Sequence, residues 1–88
     1  MEIAFSAPFK RAFKRRVEGR SELETKFWQR VEFFLSNPRD PRLRTHKLSG
    51  TLREMWSFTV EHDCRVVFFF AEADRAVFVD IGNHDEVY

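Results

Sequence analysis

Two imidazoles, a phenol, a carboxylate, a guanidinium and an ammonium make up the reactive inventory of this chain: His46, His84, Tyr88, Asp63, Arg65 and Lys47. One reaction that such a set serves is RNA cleavage by attack of a 2′-hydroxyl on the adjacent phosphate. It needs a base for the hydroxyl proton, an acid for the leaving oxygen, and cations beside the phosphoryl oxygens. Histidine is the side chain suited to moving protons near neutral pH. Arginine matches phosphate in charge and in fork geometry. The reaction requires no metal, and the sequence offers no compact His/Asp/Glu ligand cluster. There is no phosphate-binding P-loop, no G-x-G-x-x-G and no G-x-S-x-G. No metal and no cofactor are expected.

Each residue also has a plainer role. His62 in a hairpin turn reads as solvated and inert, His46 as a loop cap, His84 as the finish of a strand, and Arg65 as a surface strand end. Tyr88 is the last residue, where chains usually fray. An aromatic there implies a docked tail, for packing or for stacking on a base. On residue types alone, a nucleic-acid enzyme and a binding module both stand.

The elements that must position these groups are built around residues 65–71, RVVFFFA. The run is apolar almost without interruption and rich in β-branched and aromatic side chains, which is how a strand covered on both faces reads. Ahead of it, residues 55–61 alternate: Trp56, Phe58 and Val60 fall on one face, Ser57, Thr59 and Glu61 on the other. His62-Asp63 makes a tight turn between them. Residues 71–75 make the next turn and residues 76–81 the last strand, giving a three-stranded meander. Gly82-Asn83 breaks it and leaves His84–Tyr88 as a short tail. In such a meander the last strand ends beside the first turn, so Asp63, Arg65 and the tail should meet. His46 and Lys47 join them only if their loop folds back.

The N-terminal half reads as a strand over 2–6 followed by two helices. Ser6 and Pro8 start the first helix, with Phe9, Phe13 and Val17 as its apolar stripe, and Gly19 stops it. Ser21 and Glu24 form a capping-box pattern for the second. Its stripe is Leu23, Phe27, Val31, Phe34 and Leu35, widened by Trp28 and Phe33. Asn37-Pro38 ends it. Residues 38–53 read as a basic loop in which two prolines and a glycine break any regular element. The order predicts one α+β domain over 1–88. The helical hairpin would pack on one face of a mainly antiparallel sheet, with the other face comparatively open.

Composition sets bounds on this picture. Eighty-eight residues at 43% hydrophobic and 33% charged suffice for one modest core, in which 11 phenylalanines supply much of the volume. The single Cys64 excludes an internal disulfide and reads as a small buried apolar residue. No apolar run reaches the roughly 20 residues that span a bilayer, and no secretory leader pattern is read, so a cytoplasmic protein is expected. The net charge of +1 hides an asymmetry: residues 1–53 hold 13 Lys/Arg against 6 Asp/Glu, residues 54–88 only 2 against 8. The basic half suits a polyanion. Its candidate RNA contacts are Arg42, Arg44, Lys47 and Arg53, with Lys10 and Lys14 on the first helix.

The stretches DPRLRTHKLSGTL, MWSFTVEHDCRVVF and VDIGNHDEVY resemble the RelE/StbE-type toxins of bacterial type II toxin–antitoxin systems, near the RelE and YafQ branches. The resemblance implies a ribosome-dependent mRNA endoribonuclease that stops translation. It implies a cognate antitoxin as partner, the ribosome and mRNA as targets, and operator DNA contacted through the toxin–antitoxin complex. His84 resembles the family's C-terminal catalytic histidine and Tyr88 its terminal aromatic. Asp63 sits at the acidic turn position, Arg65 resembles the arginine on the scissile phosphate, and His46-Lys47 the pair preceding the sheet. Thr59 departs from the pattern, standing where YafQ-like members carry another histidine. That leaves His46 and His84 as the base and acid candidates. The related ParE branch, which poisons DNA gyrase by binding, would need the basic helices and not the histidines.

Overall fold

A computed structural model describes residues 1–52 and 54–88. In chain order it shows β1 (Glu2–Phe5), α1 (Ala7–Arg16), α2 (Ser21–Ser36), β2 (His46–Lys47), β3 (Trp56–Glu61), β4 (Cys64–Glu72), β5 (Arg75–Gly82) and α3 (His84–Val87). The strands form one sheet in the order β1-β5-β4-β3-β2. The apolar run thus lies in the middle strand. β3, β4 and β5 make the expected antiparallel meander. β1 closes the sheet in parallel with β5, Ile3 opposite Ala76 and Phe5 opposite Phe78, a pairing the sequence pattern leaves open.

The hairpin α1–α2 covers one face. Phe34 of α2 is fully buried against Phe58, Phe68 and Phe78, one from each meander strand, at ring separations of 5.3, 5.0 and 5.4 Å. Burying a side chain of this size contributes roughly 1.5–3 kcal/mol. Ser6 caps α1 by accepting the Phe9 N–H at 3.2 Å, and Gly19 turns the chain with φ +88.

Three expectations need correction. The Ser21–Glu24 box does not form. Ser21 is already inside the helix, and the Glu24 carboxylate reaches back to accept the Gly19 N–H at 3.0 Å. Trp28 and Leu35 are not core residues, being 49% and 43% exposed; Trp28 packs at the rim, against Phe5 of β1 and Phe13 of α1. Residues 38–53 are not structureless. Asp40 caps a 3-10 turn over Pro41–Leu43, which buries Leu43 completely, and His46–Lys47 pair with β3 as an edge strand. Proline and glycine bound these pieces without preventing them.

The second sheet face is not wholly open. Ser57 and Val67 stand opposite one another on it and both are buried. The C-terminal turn covers them.

Candidate active site

Register decides which side chains meet. On the second sheet face His46, Ser57, Val67 and Asp80 form one row across β2, β3, β4 and β5, and Thr59, Arg65 and Gly82 form the next. Directly opposed residues in adjacent antiparallel strands hold their Cβ atoms about 5 Å apart. The two-residue turn His62-Asp63 and the start of α3 close one end of this face.

There a cavity of about 720 Å³ opens, and Asp63, Arg65 and His84 all line it. Strand direction alone anticipates this gathering. His62, left aside as a solvated turn residue, is exposed and lines the cavity too. The lining is of mixed charge, with Arg16, Arg20 and Arg65 against Glu61, Asp63, Asp85 and Glu86. Arg65 is lightly held: its Nη1 makes one long bond, 3.4 Å, to the His62 carbonyl. Among the described residues no carboxylate holds its fork, which leaves it open to an anion. Thr59, the departure from the family pattern, is the residue directly opposite Arg65.

α3 places the C-terminal groups. Asn83 and Glu86 form a reciprocal capping box: the Asn83 side chain accepts the Glu86 N–H at 2.9 Å and Glu86 accepts the Asn83 N–H at 2.7 Å. His84 projects with its side chain 68% exposed, and Asp85 lies 3.7 Å from its Nδ1, able to pair with it when the ring is charged. The Tyr88 ring stands edge-on to His84 with centroids 4.7 Å apart. The Tyr88 hydroxyl donates to Ser57 Oγ at 2.6 Å, giving that buried polar atom its partner. This bond docks the Tyr88 ring on the second sheet face.

His46 arrives by another route. β2 puts it opposite Ser57, so the hydroxyl pair Tyr88–Ser57 lies between it and His84. Its Nδ1 contacts the Arg44 carbonyl at 3.0 Å. A carbonyl only accepts, so Nδ1 carries the proton and Nε2 is the acceptor of the neutral ring. Arg44 bends the chain there, in the left-handed region at φ 53.

The remaining cations divide. Arg44 and Lys47 are exposed beside β2. Arg42 is engaged: it grips Asp40 through Nε at 3.0 Å and Nη2 at 2.7 Å and lies 3.6 Å over the Phe33 ring. The Arg42 guanidinium in turn holds the Asp40 carboxyl down at about 2. Lys10 and Lys14 do not come to the cavity. They rim a separate apolar groove of about 330 Å³ lined by Phe5, Phe9, Phe13, Phe27 and Trp28. Arg53 lies outside the described residues. Cys64 is buried at the cavity wall, and burial, with the Glu61 charge adding to it, pushes its thiol up to about 12. Among the described residues no three His, Cys, Asp or Glu side chains form a metal-binding group, and no helix is long and apolar enough to cross a membrane.

Arg16 and Arg20, with Glu61, His62, Asp85 and Glu86, are charged or polar lining residues that sequence reasoning missed. Helical periodicity puts Arg16 with the other α1 cations off the apolar stripe, and only the packing of α1 on β5 shows that it faces the site.

No protein-family model and no curated protein sequence matches the chain. Solved structures do. YafQ from E. coli superposes with a TM-score of 0.82 at 17% identity, over 99% of this chain and 97% of that one. A metal-bound toxin from Helicobacter pylori gives 0.79 at 21% identity, over 100% and 99%. The E. coli DinJ-YafQ toxin-antitoxin complex gives 0.76 at 18%, over 99% and 96%. The chain therefore has the fold of the RelE/YafQ-type toxins over its whole length.

Proposed function

We propose that the protein is the toxin of a type II toxin–antitoxin system and acts as a cytoplasmic, ribosome-dependent mRNA endoribonuclease. The observation that carries this reading is the gathering of Arg65, Asp63 and His84 around one cavity, with Tyr88 against His84 and His46 on the same sheet face. The resemblance and the shared fold support it.

In the proposed reaction the 2′-hydroxyl loses its proton to His46 Nε2. The 2′-oxygen bonds to phosphorus and the bond from phosphorus to the 5′-oxygen breaks. His84 gives the leaving oxygen its proton. The products are a 2′,3′-cyclic phosphate and a 5′-hydroxyl end. Arg65 holds the phosphoryl oxygens, where charge grows in the transition state. Tyr88 orients His84 and offers a ring face to a base. Asp63, in the exposed turn, sets the edge of the substrate path. Arg44 and Lys47 carry the flanking strand. Removing a general acid or base costs typically 10²–10⁴-fold in rate.

The partner is a cognate antitoxin. The groove around Trp28 supports a protein partner, because a half-exposed tryptophan among phenylalanines is a common interface anchor.

The test is induced expression with mapping of mRNA ends on ribosomes, comparing wild type with His84→Ala and Arg65→Ala. Cleavage by the wild type, lost in both variants, is expected. Equal arrest by all three, or broken DNA in place of cut mRNA, overturns the reading.

A further inference from the structure

The last turn of α1 reaches the cavity through one side chain. Arg16 Nη1 donates to Asp80 Oδ1 at 3.0 Å and to the Ile81 carbonyl at 2.9 Å, and Nε lies 3.4 Å from Glu86 Oε2. These acceptors belong to two elements, β5 and α3. β1 ends opposite Phe78, so the last residues of β5 have no strand on that edge, and Arg16 occupies it. Asp80 contributes from the same edge by accepting the Ile81 N–H at 2.9 Å.

Glu86 links this knot to α3, because its other oxygen accepts the Asn83 N–H that opens the turn. The junction leaves no spare room. A Cβ added at Gly82 would stand 2.7 Å from Glu86 Oε1 and 2.9 Å from Arg16 Nη1. The absence of a side chain at Gly82 is what lets the two charged groups meet there.

A four-residue helix is not stable by itself, since nucleation costs more than one turn of hydrogen bonds returns. α3 therefore takes its orientation from what it is fastened to. Its fastenings are Tyr88 on Ser57 at one end and Glu86 on Arg16 at the other. His84 opens the turn, two residues before Glu86, with its ring against Tyr88.

We propose that Arg16 is a positioning residue for the candidate site: it clamps the free edge of β5 to Glu86 and so fixes where His84 and Tyr88 stand relative to Arg65. This rests on the endoribonuclease reading for its consequence in rate, but not for the clamp. Arg16 and Arg65 line one cavity with different tasks. Arg16 has its fork filled by three acceptors, and Arg65 has among the described residues only the long bond to the His62 carbonyl.

The experiment pairs Arg16→Gln with Glu86→Gln. Glu86→Gln keeps an acceptor for the Asn83 N–H and removes the charge and the acceptor that face Arg16. Two readouts are taken by NMR: amide exchange of Glu86, Val87 and Tyr88, and cross-relaxation between the His84 and Tyr88 rings. In both variants exchange at these amides should quicken and the ring contact weaken, while β4 amides keep their protection. Unchanged exchange and ring contact in both would overturn the clamp. Should Arg16→Gln fail to fold, Glu86→Gln decides alone.

The third readout is steady-state cleavage of ribosome-bound mRNA. A misplaced proton carrier should lower kcat by about 10²-fold and leave KM nearly unchanged. A raised KM at constant kcat would mean that Arg16 binds RNA directly, and would overturn a positioning role. If the wild type itself cuts no mRNA, the proposed activity falls and the NMR readouts still judge the clamp.

Discussion

Residues 83–88 and residues 38–53 each bring a histidine to the same sheet face, and they are held there in different ways. The C-terminal turn is six residues long and is fixed by its own capping box, by Tyr88 on Ser57 and by Arg16 on Glu86. The basic segment is longer and, among its described residues, is anchored by the buried Leu43, by two residues of edge strand and by Thr45 Oγ1 donating to the Pro38 carbonyl. Its described cations are exposed, and one of them, Arg42, is occupied by Asp40. The difference teaches which region can be precise. A proton carrier must sit within hydrogen-bond reach of one atom, which suits the fastened turn. A strand of RNA needs only charge along its path, which suits the exposed segment.

The largest effect should come from the fastened side. His84→Ala and Arg65→Ala should each lower the cleavage rate by 10²–10⁴-fold, measured on ribosome-bound mRNA, with melting temperature little changed. Arg44→Ala and Lys47→Ala should do far less at low salt and act through binding. Each should make the slope of log affinity against log salt shallower by about 0.7, the value for one phosphate contact on a single strand. If Lys47→Ala proves as damaging as His84→Ala at every salt concentration, the division between the two regions is wrong.

Next in size is the seat of the turn. Ser57→Ala leaves the Tyr88 hydroxyl without its partner and should cost about 1 kcal/mol, read by denaturant unfolding. It should also quicken labelling of Cys64, at the wall beneath the cavity. In the native protein that labelling should be slow at pH 8, because the thiol stays protonated up to about 12. A raised thiol pKa stabilises the fold below the unfolded value of about 8.5 and loses that contribution as pH climbs toward the folded one. Labelling of native protein as fast as of unfolded chain would mean that the turn does not cover this end of the sheet.

The smallest effect should come from Asp40→Asn, which frees Arg42. Stability at pH 7 should fall slightly, since a carboxyl lowered to about 2 stabilises the fold above its unfolded value and loses this as pH falls through 2. RNA affinity should rise a little with a steeper salt slope. No change in either would mean that Arg42 plays no part in the polyanion surface.

Much of this molecule is legible in one dimension because it depends on local periodicity. Alternation in β3, the unbroken apolar run of β4 and short turns specify the meander, and antiparallel direction then requires that the Asp63 turn and the His84 turn share an end. The N-cap at Ser6 and the stop at Gly19 are equally local. Other features were not legible, for stated reasons. The edge strand at His46 contains two residues, too few to show a period. Trp28 and Leu35 share helical spacing with the core stripe, and spacing alone does not say how wide a face the sheet covers.

The sequence by itself determined the first strand, the helical hairpin, the meander, their order and the meeting of Asp63, Arg65 and His84, since strand polarity follows from chain connectivity. Only the tertiary structure decided that β1 lies beside β5 and stops at Phe78, that Arg16 takes the edge left bare, and that His46 joins the face through Ser57. Those contacts join residues as distant in the chain as Phe5 and Phe78. They depend on how layers stack and where edges end, and no local pattern of side chains encodes that.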